Sequence, residues 1–203
     1  MSQPELFVVT GPNAAGKSSF IRSRLNDFSG FEIIMTGVYK DRTREVFTKA
    51  IQLKKSIVLE TVFNNQSFID FIAEAKKANY KLSLICLFLN NPQQSLNRVV
   101  LRYLEQSGLE ISKGNVEINF MENFKNVSNF HFVFDRADFI YTGNKNQNEN
   151  LMTLKGLEII AYKENESTFL QLFAKYALSR DKLSKEAFDI IVKNIDFNHG
   201  DSL

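Results

Sequence analysis

The spacing of apolar positions changes period repeatedly along the first half of the chain. Leu6 to Thr10 (LFVVT), Phe31 to Met35 (FEIIM), Ser56 to Thr61 (SIVLET) and Lys81 to Leu89 are short, nearly continuous apolar runs, the last the most apolar. Runs of this length, rich in β-branched and aromatic residues, predict strands. Between them lie longer stretches of helical spacing: Lys17 to about Asn26, Asp41 to Leu53, about Ser67 to Ala78, and a helix opened by Pro92 that continues to about Glu105. Proline suits the first turn of a helix because its missing N–H would have no partner there. Strand and helix alternating in this way predict βαβ units and a parallel sheet, with the fourth strand buried on both faces.

Beyond Gly108 the pattern loosens. Ser107 to Asn115 is polar with two glycines and predicts a loop between helices, and Val116 to Val127 carries apolar residues at helical spacing (Val116, Phe120, Phe124, Val127). Phe132 to Phe134 and Phe139 to Tyr141 predict further strand. The run NKNQNEN, Asn144 to Asn150, predicts a turn, and Leu151 to Tyr162 a returning strand that completes a hairpin at the sheet edge. Phe169 to Leu178 and Leu183 to Ile195 predict two closing amphipathic helices. No repeat and no Gly-, Ser- or Pro-rich linker divides the chain. The expectation is one domain over residues 1–203 with a small helical lid at about 105–130.

Composition narrows the function classes. The 203 residues are 44% hydrophobic and 24% charged, ordinary for a globular chain, and support one sizeable core. A formal net charge of +2 is too small to argue for nucleic acid or an anionic membrane surface. The longest apolar stretches, such as Leu82 to Leu89, are too short to span a bilayer, and the N-terminus MSQPE has no basic segment or small-residue cleavage site. A cytoplasmic protein is expected. The single cysteine, Cys86, sits in the apolar run SLICLFL and predicts a buried thiol, while two histidines, His131 and His199, are too few for a metal site.

The chemistry gathers near the N-terminus. Gly11, Gly16, Lys17 and Ser18 satisfy G-x-x-x-x-G-K-[ST], between a predicted strand and a predicted helix. Such a loop turns successive N–H groups toward phosphate oxygens at a helix N-terminus. Lys17 supplies a charge for the β and γ phosphates, and Ser18 a hydroxyl for magnesium. The loop therefore predicts binding of a nucleoside triphosphate, ATP with Mg²⁺. Arg98 and Arg102, four apart on the helix after the fourth strand, project from one face and either clamp a transferring phosphoryl group or form a solvated basic face. Glu60, ending the third strand beside Thr61, either orders the magnesium's water shell, accepts a proton from a substrate hydroxyl, or lies in solvent. Asp41 and Glu45 are weaker candidates for a base.

GPNAAGKSS, LET, the Arg98/Arg102 pair and the later SGLEIS…NFKNV stretch together resemble the zeta-toxin-like family of P-loop kinases, over roughly Leu6 to Tyr141. The resemblance implies an α/β P-loop NTPase fold: a mostly parallel sheet flanked by helices, with a helical lid. It also implies ATP-dependent phosphorylation of a hydroxyl, on UDP-N-acetylglucosamine in the toxins themselves. By matched position Gly11, Pro12, Asn13, Ala14, Ala15, Gly16, Lys17, Ser18 and Ser19 would hold the triphosphate. Arg98 and Arg102 would look toward the phosphates, and Glu60 with Thr61 would face the substrate pocket. Lys17, Glu60 and Arg102 are thereby the candidate catalytic residues.

Two positions depart from the family pattern. Its acid after the second strand falls at about Gly37, and its lid-helix arginines fall near Glu117 to Asn119. Asp41, and Lys113 or Lys125, are the available replacements. Two readings follow: a kinase acting on a small-molecule acceptor, and a nucleotide-binding protein without transfer chemistry. An antitoxin-like protein partner fits either. An ABC-type ATPase is disfavoured, because there is no LSGGQ-like signature and no antiparallel subdomain ahead of the loop.

Overall fold

The computed structural model describes residues 3–106, 111–143 and 148–199. The expected alternation forms one sheet. Its strands are β1 (Glu5–Thr10), β2 (Glu32–Met35), β3 (Ile57–Thr61), β4 (Lys81–Phe88), β5 (Arg136–Tyr141), β6 (Glu149–Lys155), β7 (Glu158–Tyr162) and β8 (Phe197–Asn198). They lie side by side in the order β2-β3-β1-β4-β5-β6-β7-β8. The five from β2 to β5 are parallel, and β6, β7 and β8 are added antiparallel. The chain is thus α/β with a mostly parallel sheet and an antiparallel edge. β1 is the central partner of β3 and β4, which places the loop that follows it in the middle of the sheet's carboxyl edge, where ligands of such folds bind.

The helices are α1 (Lys17–Ser23), α2 (Thr36–Tyr39), α3 (Thr43–Gln52), α4 (Phe68–Lys77), α5 (Pro92–Gln106), α6 (Lys113–Phe130), α7 (Thr168–Leu178) and α8 (Lys185–Lys193). Strand residues alternate between two apolar clusters, as the period of two requires. Leu6 and Val8 of β1, Ile57 and Leu59 of β3, and Leu84, Cys86 and Phe88 of β4 face a large cluster with Phe47, Phe71, Phe120, Phe173 and Ile191 of the helices. Val9, Val58, Ile85 and Leu87 face a smaller one with Phe20, Ile21 and Phe28 of α1 and the turn after it. Among the described residues, no helix is long and apolar enough to cross a membrane.

Several expectations are corrected. Phe132 to Phe134 is not strand: His131–Val133 form a 3-10 turn that extends α6. The His131 backbone N–H donates to the Val127 carbonyl, and its buried ring Nδ1 lies 3.3 Å from the same carbonyl and 3.2 Å from that of Ser128, so the residue continues the helix's hydrogen bonding. Leu151 to Tyr162 is two strands rather than one, because Gly156 at φ 61 turns the chain between β6 and β7. α1 ends at Ser23 instead of near Asn26, followed by turns that close on Gly30 at φ 82. α2 had no signal, since it buries no residue. α8 stops at Lys193 on a left-handed Asn194 (φ 54), which frees Phe197–Asn198 to join the sheet. Of the predicted loop 107–115, Lys113 to Asn115 are already helix, with Ser112 Oγ accepting from the Asn115 N–H at 3.3 Å. Residues 107–110 of that loop and 144–147 of the predicted turn lie outside the described residues, and Glu149 and Asn150 belong to β6.

Burial lowers the pKa of His131 to about 4, and the Val127 and Ser128 carbonyls only partly oppose this. The unfolded chain therefore binds a proton at this residue below about pH 6.5 that the folded chain refuses. Stability from His131 is complete above pH 6.5 and falls toward pH 4, by about 3 kcal/mol for a shift of this size. Denaturant titrations of the wild type and His131→Leu should show a shallower loss of stability between pH 6.5 and 4 in the variant; equal slopes would contradict the assignment.

Candidate functional site

β1 delivers the chain into a tight loop, and its neighbours dictate glycine at the first position. Gly11 has φ 152, and a Cβ there would stand 2.1 Å from the Leu87 carbonyl oxygen of β4. Gly16, at φ 89, opens α1 in a conformation side chains rarely adopt. Ala14 is also left-handed, at φ 55, without being glycine. Side chains of α5 hold this tip. Ser95 Oγ donates to the Asn13 carbonyl at 2.6 Å, and Arg98 donates to the carbonyls of Ala14 (3.4 Å) and Thr142.

Lys17, 7% exposed, folds back beneath the loop and donates from Nζ to the carbonyls of Gly11 (2.9 Å) and Pro12 (3.0 Å). Its nearest anion is Glu60 Oε1 at 3.9 Å, from the end of β3. Burial lowers the lysine pKa to about 8, against the attraction of Glu60 and with the repulsion of Arg102. Burial likewise raises the pKa of Glu60, opposed by Lys17. Cys86 lies under the same lysine, and burial pushes its thiol well above the usual range, so it stays protonated and inert.

Lys17, Glu60 and Arg98 line one cavity of about 590 Å³, within the range of small-molecule sites. Asn13, Ala14, Gly16, Lys17, Ser18 and Ser19 form its loop side, and Arg22, Arg98 and Arg102 add guanidinium groups. Met35 at the end of β2 and Thr36, Gly37 and Val38 after it line the same cavity together with Glu60 and Val62. Glu60 is the one carboxylate among the described lining residues. The wall is therefore strongly cationic around a single acid, as a polyanion and a proton-bearing acceptor require.

The expected residues thus converge, with differences in role. Gly11, Pro12 and Ala15 are buried and shape the loop from below rather than lining the cavity. Arg102 lines the cavity and makes no ion pair among the described residues, whereas Arg98 is braced on main-chain carbonyls. Asp41 is exposed and off the cavity wall, so it does not stand in for an acid at Gly37. Lys113 and Lys125 pair with Glu117 and Glu122 instead of facing the cavity. Arg22 was not anticipated; its place one helical turn after Ser18 was the available signal. Asn119, where a lid arginine was looked for, donates to Asn13 Oδ1 at 2.8 Å.

A parallel sheet whose first strand feeds such a loop, with Lys17 beneath it and a carboxylate across the cavity, defines a P-loop protein of kinase type. The zeta toxin family model matches residues 36–152, more than half of the chain, and the chain belongs to that family. The P-loop itself precedes the matched segment. Solved structures with the same fold include a chain of the PezAT chromosomal toxin-antitoxin system of Streptococcus pneumoniae, 14% identical over 96% of this chain and 85% of its own, with a TM-score of 0.58. A chain of the AvrRxo1-ORF1:AvrRxo1-ORF2 complex with sulphate ions is 14% identical over 97% of this chain and 78% of its own, with a TM-score of 0.62. A chain of the same complex with ATP is 15% identical over 97% and 78%, with a TM-score of 0.58. No curated protein matches the sequence. Family and fold together make this an ATP-binding, kinase-like protein.

A triphosphate beside Lys17 favours the ammonium form that burial opposes. Binding above pH 8 should therefore take up a proton, with affinity falling by up to ~tenfold per pH unit. Calorimetry of ATP binding at pH 9, in two buffers of different ionisation enthalpy, should report that uptake in the wild type and none in Lys17→Ala.

Proposed function

We propose that the protein is an ATP- and magnesium-dependent phosphotransferase that acts on the hydroxyl of a small molecule. The observation that carries this reading is the shared cavity, which the P-loop and the partly buried Glu60 line together. The loop N–H groups and Lys17 would hold the β and γ phosphates, with Arg22 and Arg102 beside them. Ser18, on the cavity wall, offers the hydroxyl ligand expected for magnesium, which supplies charge neutralisation of the phosphates when bound. Glu60 is the base. Burial raises its pKa, which makes it a stronger proton acceptor, and its position opposite Lys17 lets it take the proton of a hydroxyl as the phosphoryl group moves to that oxygen. Met35, Thr36, Val38 and Val62 would form the acceptor side.

The second reading is a nucleotide-binding protein without transfer. Gly37 favours it, because the family's acid has no carboxylate in its place. The position is open, since a Cβ on Gly37 meets nothing within 4 Å and its backbone is not left-handed. In either reading a protein inhibitor is a natural partner, as in the toxin-antitoxin system among the structural relatives.

Lys17→Ala should weaken ATP–magnesium binding at least ~tenfold, about 1.4 kcal/mol, in calorimetry at pH 7. Labelled γ-phosphate should pass to at least one member of a panel of UDP-sugars, nucleosides and sugars, and Glu60→Gln should slow this ~10²–10⁴-fold. Tight ATP binding with no transfer to any acceptor would establish the second reading. Gly37→Asp should raise transfer to UDP-N-acetylglucosamine by ~10²-fold or more if that sugar is an acceptor.

A further inference from the structure

α6 turns a single stripe of asparagines toward the site. Asn119, Asn123 and Asn126 stand at i, i+4 and i+7, which a 3.6-residue period places on one face. Asn123 and Asn126 are 1% and 2% exposed, in a helix whose other buried positions include Val116, Phe120 and Val127. A buried primary amide is costly unless its groups are bonded, so the partners matter.

Those partners are the two turns that carry the candidate chemistry. Asn119 Nδ2 donates to Asn13 Oδ1 in the P-loop at 2.8 Å, and Asn119 Oδ1 accepts from Asn64 at 2.6 Å. Asn123 Nδ2 donates to Thr10 Oγ1 at 2.9 Å and to the Val62 carbonyl at 2.5 Å, joining the ends of β1 and β3. Asn126 Nδ2 donates to the Phe63 carbonyl at 2.9 Å. Phe63 has φ 52, an unusual conformation for a bulky side chain. It is held from within by its own N–H donating to Thr61 Oγ1 at 3.0 Å, and from without by Asn126. This strained turn begins two residues after Glu60, so it sets where β3 stops and where the carboxylate stands.

We propose that the three asparagines are positioning residues with divided duties: Asn119 chiefly sets the P-loop through Asn13, Asn126 sets the turn that aims Glu60, and Asn123 ties the two together through Thr10 and Val62. The proposal rests on the reading of Glu60 as the base. In place of the arginines expected on this helix, the site is organised by neutral amides that grip main chain and Asn13. α6 is then engaged before any nucleotide arrives, with Asn119 weighted toward the donor side, Asn126 toward the Glu60 turn and Asn123 between them.

The test compares Asn119→Ala, Asn123→Ala and Asn126→Ala by ATP affinity, amide hydrogen exchange of the nucleotide-free protein, and kcat and KM for transfer. Asn126→Ser, which keeps a donor, serves if the alanine variant does not fold. Asn119→Ala should weaken ATP binding ~three- to tenfold and speed exchange more in 12–16 than in 61–66, where it loses only the Asn64 side-chain contact. Asn126→Ala should speed exchange in 61–66 and lower kcat ~three- to tenfold or more, with ATP affinity within ~twofold of wild type, whereas Asn123→Ala should disturb both segments. Asn126→Ser should recover part of that loss. Equal effects of all three variants on both segments and on both affinity and kcat, or exchange unchanged in folded variants, would overturn the division. If the wild type transfers phosphate to no acceptor, the kinase reading alone fails; the exchange and affinity split still decides whether the asparagines position the two turns.

Discussion

The site depends on keeping one ammonium group buried. Lys17 is 7% exposed, and an unpaired cation there would carry a large desolvation cost. Three oxygens offset it: the carbonyls of Gly11 and Pro12 and the Glu60 carboxylate. Each of them constrains something else. The carbonyls point inward only if the loop curls as tightly as Gly11 and Gly16 allow, with Gly11 against the Leu87 carbonyl. Glu60 is within reach only because β3 pairs with β1 in a register that sets Val9 against Glu60. Local loop geometry and long-range strand pairing thus converge on one charge.

That convergence explains why the helices around the carboxyl edge are polar where they touch it. α5 and α6 present Ser95, Arg98, Asn119, Asn123 and Asn126 to loop groups, most of them carbonyls, that no strand satisfies. Buried carbonyls need donors, and a side chain from a packed helix fixes the donor more firmly than water would. The same contacts hold Ala14 and Phe63 in left-handed conformations. The apolar surfaces of the sheet, by contrast, ask only for volume, supplied by phenylalanines such as Phe20 on one face and Phe47, Phe120 and Phe173 on the other.

The parallel part of the sheet was legible because its signal is local and redundant. Each apolar run is bounded by turn residues, and a strand buried on both faces shows as an unbroken run such as β4. The P-loop was legible for a related reason: its glycines and lysine are adjacent in sequence, and their spacing alone encodes the turn. Legibility failed where a local pattern had two solutions. The apolar residues of Phe132 to Phe134 fit a strand until His131 is seen to continue the helix's hydrogen bonding. Leu151 to Tyr162 alternates well enough for one strand, and Gly156 decides for two.

What the sequence determined by itself was the order of the parallel strands and the main helices between them, the P-loop pattern, and a small set of candidate side chains around it. Those are written in neighbouring residues, whose spacing acts through backbone geometry. The tertiary structure alone decided which distant groups share the cavity and in which role. Only packing separates Arg98, spent on the Ala14 and Thr142 carbonyls, from Arg102, left facing the cavity, though they lie one helical turn apart. Only packing shows that Asp41 stands clear and that asparagines of α6 reach Asn13, Val62 and Phe63. The physical reason is range: a hydrogen bond or ion pair between residues 40 or more apart in sequence depends on how whole elements pack, and no local period records it.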